Sequence, residues 1–246
     1  LKNVHKIIAV YGNSGSYKTT VAVNVAKAIA KVESGAKIAV VGADHTKPFM
    51  PLIFPDSKGS CNLSLGKLLS CETLSQEAIH AEMKEHNNIG FLGYNSGENI
   101  RCFPITTADR LEDFFMQIRH LVNYVIVDCG SDVHTAFTSK TLITADEVLY
   151  TISCDVNGLE FFHSQESILL SEQYSYNNYI KLLTINGRFT EDEETMKGAI
   201  GDVEGVIPFC ECIPEMWNQG KALNPVPDAK YNEVMKGIAK YLTKEE

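Results

Sequence analysis

The 246-residue chain carries 31 acidic against 22 basic side chains, a formal net charge of -9, and 44% apolar residues. That length and apolar content suit one α/β domain spanning residues 1–246. The acidic balance disfavours a nucleic-acid partner, because a phosphate backbone is held by clustered Lys and Arg. The seven cysteines (Cys61, Cys71, Cys102, Cys129, Cys154, Cys210, Cys212) contain no C-x-x-C pair and read as small apolar residues of a reducing compartment. Cys210-x-Cys212 is the one close pair, and the second pair of ligands that a metal site needs does not accompany it. No leader-like segment and no bilayer-length apolar run occurs, so a cytoplasmic location is expected. The start at Leu1, a few residues before the first strand, suggests a piece of a longer polypeptide.

Short β-branched runs alternate with amphipathic stretches, the pattern of βαβ units around a mostly parallel sheet. In chain order the predicted strands are Lys6 to Val10, Lys37 to Val41, Ile89 to Gly93, Tyr124 to Asp128, Val148 to Ser153, Ile180 to Asn186 and Gly205 to Pro208. The predicted helices are Lys18 to Val32, Leu65 to Ser70, Leu74 to Lys84, Asp109 to Val122, Gly158 to Tyr174, Glu191 to Ile200 and Tyr231 to Leu242. The proline-rich stretch His45 to Asn62 reads as a long loop at the C-terminal end of the second strand, where loops are more often functional. The acidic run Glu191 to Glu194 reads as a solvated helix start. Tyr231, Val234, Met235, Ile238 and Leu242 recur at helical spacing. The reading preferred for them is a last helix packed on the domain; a membrane-targeting helix is the alternative, weakened by the acidic residues interspersed with its lysines.

Chemistry concentrates in Gly12-Asn13-Ser14-Gly15-Ser16-Tyr17-Lys18-Thr19-Thr20, between the first strand and the first helix. In the loop G-x-x-x-x-G-K-[ST], backbone N–H groups cradle phosphates, the lysine reaches the terminal ones and the hydroxyl ligates Mg²⁺. Gly12, Lys18 and Thr19 occupy three of the four defining positions, and Tyr17 replaces the second glycine. Asp128 ends an apolar strand, the setting of an aspartate that holds Mg²⁺ through water. Asp44 follows the second strand on the same rim. Each aspartate has a plainer alternative as the cap of the next element.

These motifs, in their order, make the chain resemble the ParA/MinD-type deviant Walker A ATPases, and within them the CpaE/TadZ-like branch associated with pilus assembly. The resemblance runs through the loop with Thr19-Thr20 and Asn24, Ala43-Asp44 at switch I, and Asp128 after the Walker B strand. It continues through Ala145-Asp146-Glu147-Val148, Leu183-Thr184-Ile185-Asn186-Gly187-Arg188, Gly205-Val206-Ile207-Pro208-Phe209 and Asn218-Gln219-Gly220. It implies a three-layer P-loop NTPase domain with a mostly parallel twisted sheet, binding ATP or ADP with Mg²⁺. Lys18 would contact the β- and γ-phosphates, Thr19 would ligate Mg²⁺ and Thr20 would bond the α-phosphate. Asp128 and Asp44 would act on the metal through water. Asn186 would meet the adenine edge, unless Asn186-Gly187 is simply a turn, and the backbone near Pro208 and Phe209 would line the base pocket.

The departures are as informative. The family's signature lysine, which reaches across an ATP-sandwiched dimer, falls at Asn13. The first aspartate of its D-x-D falls at Gly42, and the usual proline after Asp128 is missing. Loss of a cation that stabilises transferred phosphoryl charge costs roughly three orders of magnitude in rate, by analogy with arginine fingers. The resemblance therefore implies an ATP-dependent positioning or assembly factor with weak or partner-dependent hydrolysis, an ATP-dependent homodimer, and a pilus or secretion protein as partner. An active DNA-segregation or division-site ATPase, or an interaction module with a vestigial pocket, are the alternatives. Recruitment to a cell pole is a further implication, and membrane contact is expected to be weak or indirect.

Overall fold

The computed structural model describes residues 5–55, 64–187 and 190–244. Eight strands form one sheet in the order β3-β4-β2-β5-β1-β6-β7-β8. They are β1 Lys6–Gly12, β2 Ile38–Gly42, β3 Lys84–His86, β4 Ile89–Gly93, β5 Tyr124–Asp128, β6 Glu147–Ser153, β7 Tyr179–Thr184 and β8 Val203–Ile207. Every pairing is parallel except β3 with β4. The central strands are buried on both faces, which is why β1, β2 and β5 read as continuous apolar runs rather than alternating ones.

Helices cover both faces: α1 Lys18–Val32, α2 Met50–Ile53, α3 Leu65–Ser70, α4 Gln76–Glu82, α5 Ala108–Leu121, α6 Ala136–Thr144, α7 Val156–Leu169, α8 Glu193–Ile200, α9 Cys212–Asn218 and α10 Ala229–Leu242. Two cores result. Phe114, Phe115, Val127, Tyr150 and Phe162 lie in one, and Val10, Val25, Ile29, Phe91, Met235 and Leu242 in the other. Thr107, Thr135, Asp155, Asp192 and Asp228 each accept from a backbone N–H in the first turn of the helix they precede, which satisfies an otherwise orphaned donor. Asp192 thus accounts for part of the acidic run.

All seven predicted strands are present, with ends shifted by up to two residues. The edge strand β3 was not foreseen. The predicted helix to Lys84 stops at Glu82, and the chain returns as an antiparallel hairpin through Asn87 at φ 55, a left-handed conformation that asparagine tolerates. Three helices, α2, α6 and α9, are also additions. The β-branched and hydroxyl-rich α6 has poor intrinsic propensity and is made by its Thr135 cap and by packing of Phe137 and Leu142. The stretch His45 to Asn62 contains α2, and its residues 56–62 lie outside the described set, as does Arg188.

Helix α10 packs against α1, burying Tyr231, Met235, Ala239 and Leu242. Each large side chain so buried contributes roughly 1.5–3 kcal/mol, so this face is committed to the domain interior. Among the described residues no helix is long and apolar enough to cross a membrane.

The parallel register brings the C-terminal ends of β1, β2, β5, β6, β7 and β8 to one rim. Val10 and Gly42 both stand beside Asp128, Gly12 beside Thr151, and Thr184 beside Ser153 and Ile207. The crevice outside these ends is where open α/β sheets place ligands.

Candidate functional site

The loop after β1 wraps the N-terminus of α1. Gly12 is required by packing, because a Cβ there would lie 1.8 Å from the Thr151 carbonyl oxygen. Tyr17 adopts φ 58, ψ 24, the left-handed conformation, as the residue immediately before α1. A side chain in that region costs of order 1–2 kcal/mol relative to glycine, so the surroundings must hold Tyr17 there. They do so partly through its hydroxyl, which donates to Asn186 O (3.3 Å), while Asn186 Nδ2 donates to Gly15 O (3.1 Å).

A cleft of about 520 Å³ opens beside the loop. Ser14, Gly15, Tyr17, Lys18, Thr19, Thr20, Asp44, Asp128 and Asn186, all singled out in the sequence, line it together. Lys18 Nζ donates to Asn13 O (2.9 Å) and to Ser131 Oγ (2.8 Å). Burial pushes its pKa down despite the nearby Asp128 and Asp44 carboxylates. Thr19 Oγ1 donates to Asp128 Oδ2 (2.6 Å). The other carboxylate oxygen, Asp128 Oδ1, is buried and has no partner among the described residues. Burial raises Asp128 from 3.8 to about 6, against the opposing pull of the Thr19 hydrogen bond and the Lys18 ammonium.

Asp44 is half-buried at the edge of the cleft. Its Oδ1 accepts from Thr46 N (2.8 Å) and Thr46 Oγ1 (2.5 Å), so it closes the turn after β2 while one oxygen stays available. Gly42, where the resemblance places an aspartate, has no room for one. A Cβ there would lie 2.0 Å from the Phe49 ring.

Asn13 does not face the cleft. It is buried against β6, with Nδ2 donating to Ser153 Oγ (2.8 Å) and Oδ1 accepting from Ser153 N (3.0 Å). Ser16 is likewise fully buried, bonded to Asn13 O and Thr151 Oγ1. Asn13→Ala is expected to destabilise the fold by about 1–2 kcal/mol, since it strips the buried Ser153 amide of its acceptor. Urea denaturation at constant slope would show this, and an unchanged midpoint would contradict it.

Pro208 and Phe209 do not line the cleft but border a space that adjoins it through Tyr17, Thr20 and Ile213. With Tyr17, Cys210, Ile213 and Tyr231 they enclose a space of only about 10 Å³, too small for a base. Cleft residues that the sequence reading missed are Lys47, Leu52, Ser131, Ile213, Pro214 and Trp217. Lys47 and Ser131 each follow a singled-out aspartate by three residues, and Trp217 immediately precedes the quoted Asn218-Gln219-Gly220. Cys210 and Cys212 face each other with sulfurs 2.8 Å apart. Among the described residues no group of three or more His, Cys, Asp or Glu is placed to hold a metal.

A glycine-started loop at a helix N-terminus, a lysine within it, and a hydroxyl bonded to a strand-end aspartate on a parallel sheet define the P-loop NTPase class of fold. The pattern of the family described as an AAA domain (AAA_31) matches residues 5–168, and the chain belongs to that family. Its fold is that of the ParA/MinD-type P-loop NTPases. A ParA family ATPase from Chlorobium tepidum superposes with a TM-score of 0.81 at 14% identity, covering 98% of this chain and 100% of the other. The septum site-determining protein MinD from Pyrococcus horikoshii, solved with Mg-ADP, superposes with a TM-score of 0.76 at 19% identity, covering 97% and 96%. An uncharacterized ATP-binding protein of Methanocaldococcus jannaschii is 26% identical over 148 residues, 60% of this chain. That match spans about half (52%) of the curated relative's length.

Proposed function

We propose that this chain is an ATP-binding switch of the ParA/MinD type, nearest to the CpaE/TadZ-like branch, that binds nucleotide firmly and turns it over weakly or only with a partner. The observation that carries the reading is the pairing of Thr19 Oγ1 with Asp128 Oδ2, beside an unpartnered Asp128 Oδ1 and the Lys18 ammonium. A buried carboxylate oxygen with no donor is costly unless a cation completes it, so this donor set fits Mg²⁺. Thr19 would ligate the ion and Asp128 would hold it through water, with Asp44 able to reach it in the same way. Bound there, Mg²⁺ would neutralise phosphate charge.

The remaining tasks fall to the chain itself. Lys18 would exchange its contacts to Asn13 O and Ser131 Oγ for phosphate oxygens. The N–H groups from Ser14 to Thr20 would cradle the anion at the positive end of α1. Weak turnover follows from Asn13 and Gly42. The first is short, uncharged and locked to β6, and the second is excluded from carrying an acid by Phe49. On this reading no side chain of the loop beyond Lys18 supplies a cation to developing phosphoryl charge, so a partner or second copy must do so. Action in the cytoplasm, ATP-dependent pairing and a pilus or secretion assembly protein as partner belong to the same proposal.

Titration calorimetry of the unaltered protein with ATP and Mg²⁺ tests the core of it. Saturable heat is expected, and its absence would refute the proposal. Phosphate release above background in the isolated protein would favour an active motor instead. Tyr17 lines the small space beneath Pro208 and Phe209, so Tyr17→Gly is expected to widen it, raise ATP affinity several-fold and leave tripolyphosphate affinity unchanged. An equal gain for both ligands would show that Tyr17 acts on the phosphate loop rather than the base.

A further inference from the structure

A second cavity, of about 470 Å³, lies between α1 and α10, outside the nucleotide cleft. Its floor is apolar, including Val226 and Met235, and its walls carry Lys27, Lys31, Lys236 and Lys240. Among the described residues no Asp or Glu lines it, although the chain as a whole has a net charge of -9. The ammonium groups of Lys31, Lys236 and Lys240 make no hydrogen bond or ion pair to any described residue. Lys27 is anchored, donating to Asn24 Oδ1 (3.1 Å), Ala222 O (3.2 Å) and Asn224 O (2.6 Å). Its burial, with the neighbouring Lys31 charge, lowers it to about 8. Four like charges converging on one concavity repel one another, and an anion placed among them relieves that repulsion.

We infer that the groove between α1 and α10 is a binding site for a small polyanion, a ligand with clustered phosphate groups and a compact body resting on the apolar floor. The shape favours a small ligand over a nucleic acid. A duplex presents its phosphates along an extended convex ridge and would bring its charge against the acidic remainder of the surface, whereas this concavity confines positive charge within a few side chains. The lysines come from two helices about two hundred residues apart in sequence, so the site exists only in the folded chain.

The test is calorimetric titration of tripolyphosphate into the full chain carrying Lys18→Ala, which removes the lysine of the nucleotide cleft. One binding event is expected. It should weaken at least ~10-fold when Lys31→Ala and Lys236→Ala are added, and weaken further with rising salt. Both lysines are exposed and unpaired, so melting temperature should stay close to that of the Lys18→Ala parent, and a fold-intact protein makes the comparison valid. If the double variant melts early, Lys240→Ala alone serves, with a several-fold loss expected. Absence of heat with tripolyphosphate, or heat indifferent to these lysines, overturns the inference. Parallel arms with duplex DNA and with anionic phospholipid vesicles identify the source of the phosphate. Binding confined to either arm, with none for tripolyphosphate, also overturns it. ATP binding by the unaltered protein is measured separately, so failure of the groove and failure of the cleft are told apart.

Discussion

Replacement of Asp128 by asparagine is expected to stabilise the metal-free protein by roughly 3 kcal/mol at pH 8, with the gain vanishing below about pH 4. The folded pKa of Asp128 is raised, from 3.8 to about 6, chiefly by burial. A raised acid favours the folded state fully below its unfolded pKa, where both states are protonated, and that contribution is lost as pH rises through the folded value. The difference of about two pKa units corresponds to roughly 3 kcal/mol, with the transition lying between about pH 4 and 6. Asparagine removes the charge and keeps an oxygen to accept from Thr19 Oγ1, so packing and the hydrogen bond persist. Denaturant midpoints of both proteins across pH 3–8 in chelator would check this. Curves that stay parallel would show that Asp128 is charged without penalty. The same variant should lose the Mg²⁺ dependence of ATP binding, because the oxygen suited to a cation is then an amide. Stability surrendered for the metal-free state and recovered on loading is the signature of a site built for a cation.

Lys18→Ala is expected to lower ATP affinity by about 100-fold. A charge-assisted contact to phosphate contributes about 1.5–3 kcal/mol, and each ~1.4 kcal/mol is a factor of ten. The folded state should lose little, since the burial that lowers the Lys18 pKa and the pull of Asp128 act in opposite directions on it. Calorimetry and the ATP-induced rise in melting temperature should fall together. An unaltered dissociation constant in Lys18→Ala would mean that the nucleotide sits elsewhere. Retained affinity in the Asp128 variant under chelator, alongside loss in Lys18→Ala, would separate the phosphate contact from the metal.

Much of this was legible in the chain. Continuous apolar runs fixed the parallel strands, because a strand buried on both faces needs no alternation. The spacing of Gly12, Lys18 and Thr19 marked the phosphate loop, and the strand ending in Asp128 marked the facing acid. The hairpin strand β3 was hidden inside a helical pattern, and α6 was hidden by its threonines, since both depend on neighbours for stability. The side-chain directions of the loop were also illegible. Asn13 and Ser16 sit in the motif yet serve β6, while Lys47, Ser131 and Trp217 sit outside it and line the cleft.

Two departures acquired causes only from the folded chain. Gly42 is held small by Phe49, and Tyr17 stands in a left-handed conformation with its hydroxyl on the Asn186 carbonyl. The sequence by itself determined a P-loop α/β domain with its phosphate loop after the first strand. Local spacing and hydrophobic period suffice for features built from neighbouring residues. The tertiary structure alone decided that Asp128 keeps an oxygen without a partner among the described residues beside Thr19, that the space beneath Pro208 is small, and that Lys27 and Lys31 line one groove with Lys236 and Lys240. Those facts depend on long-range packing and desolvation, which arise only when distant segments are brought together.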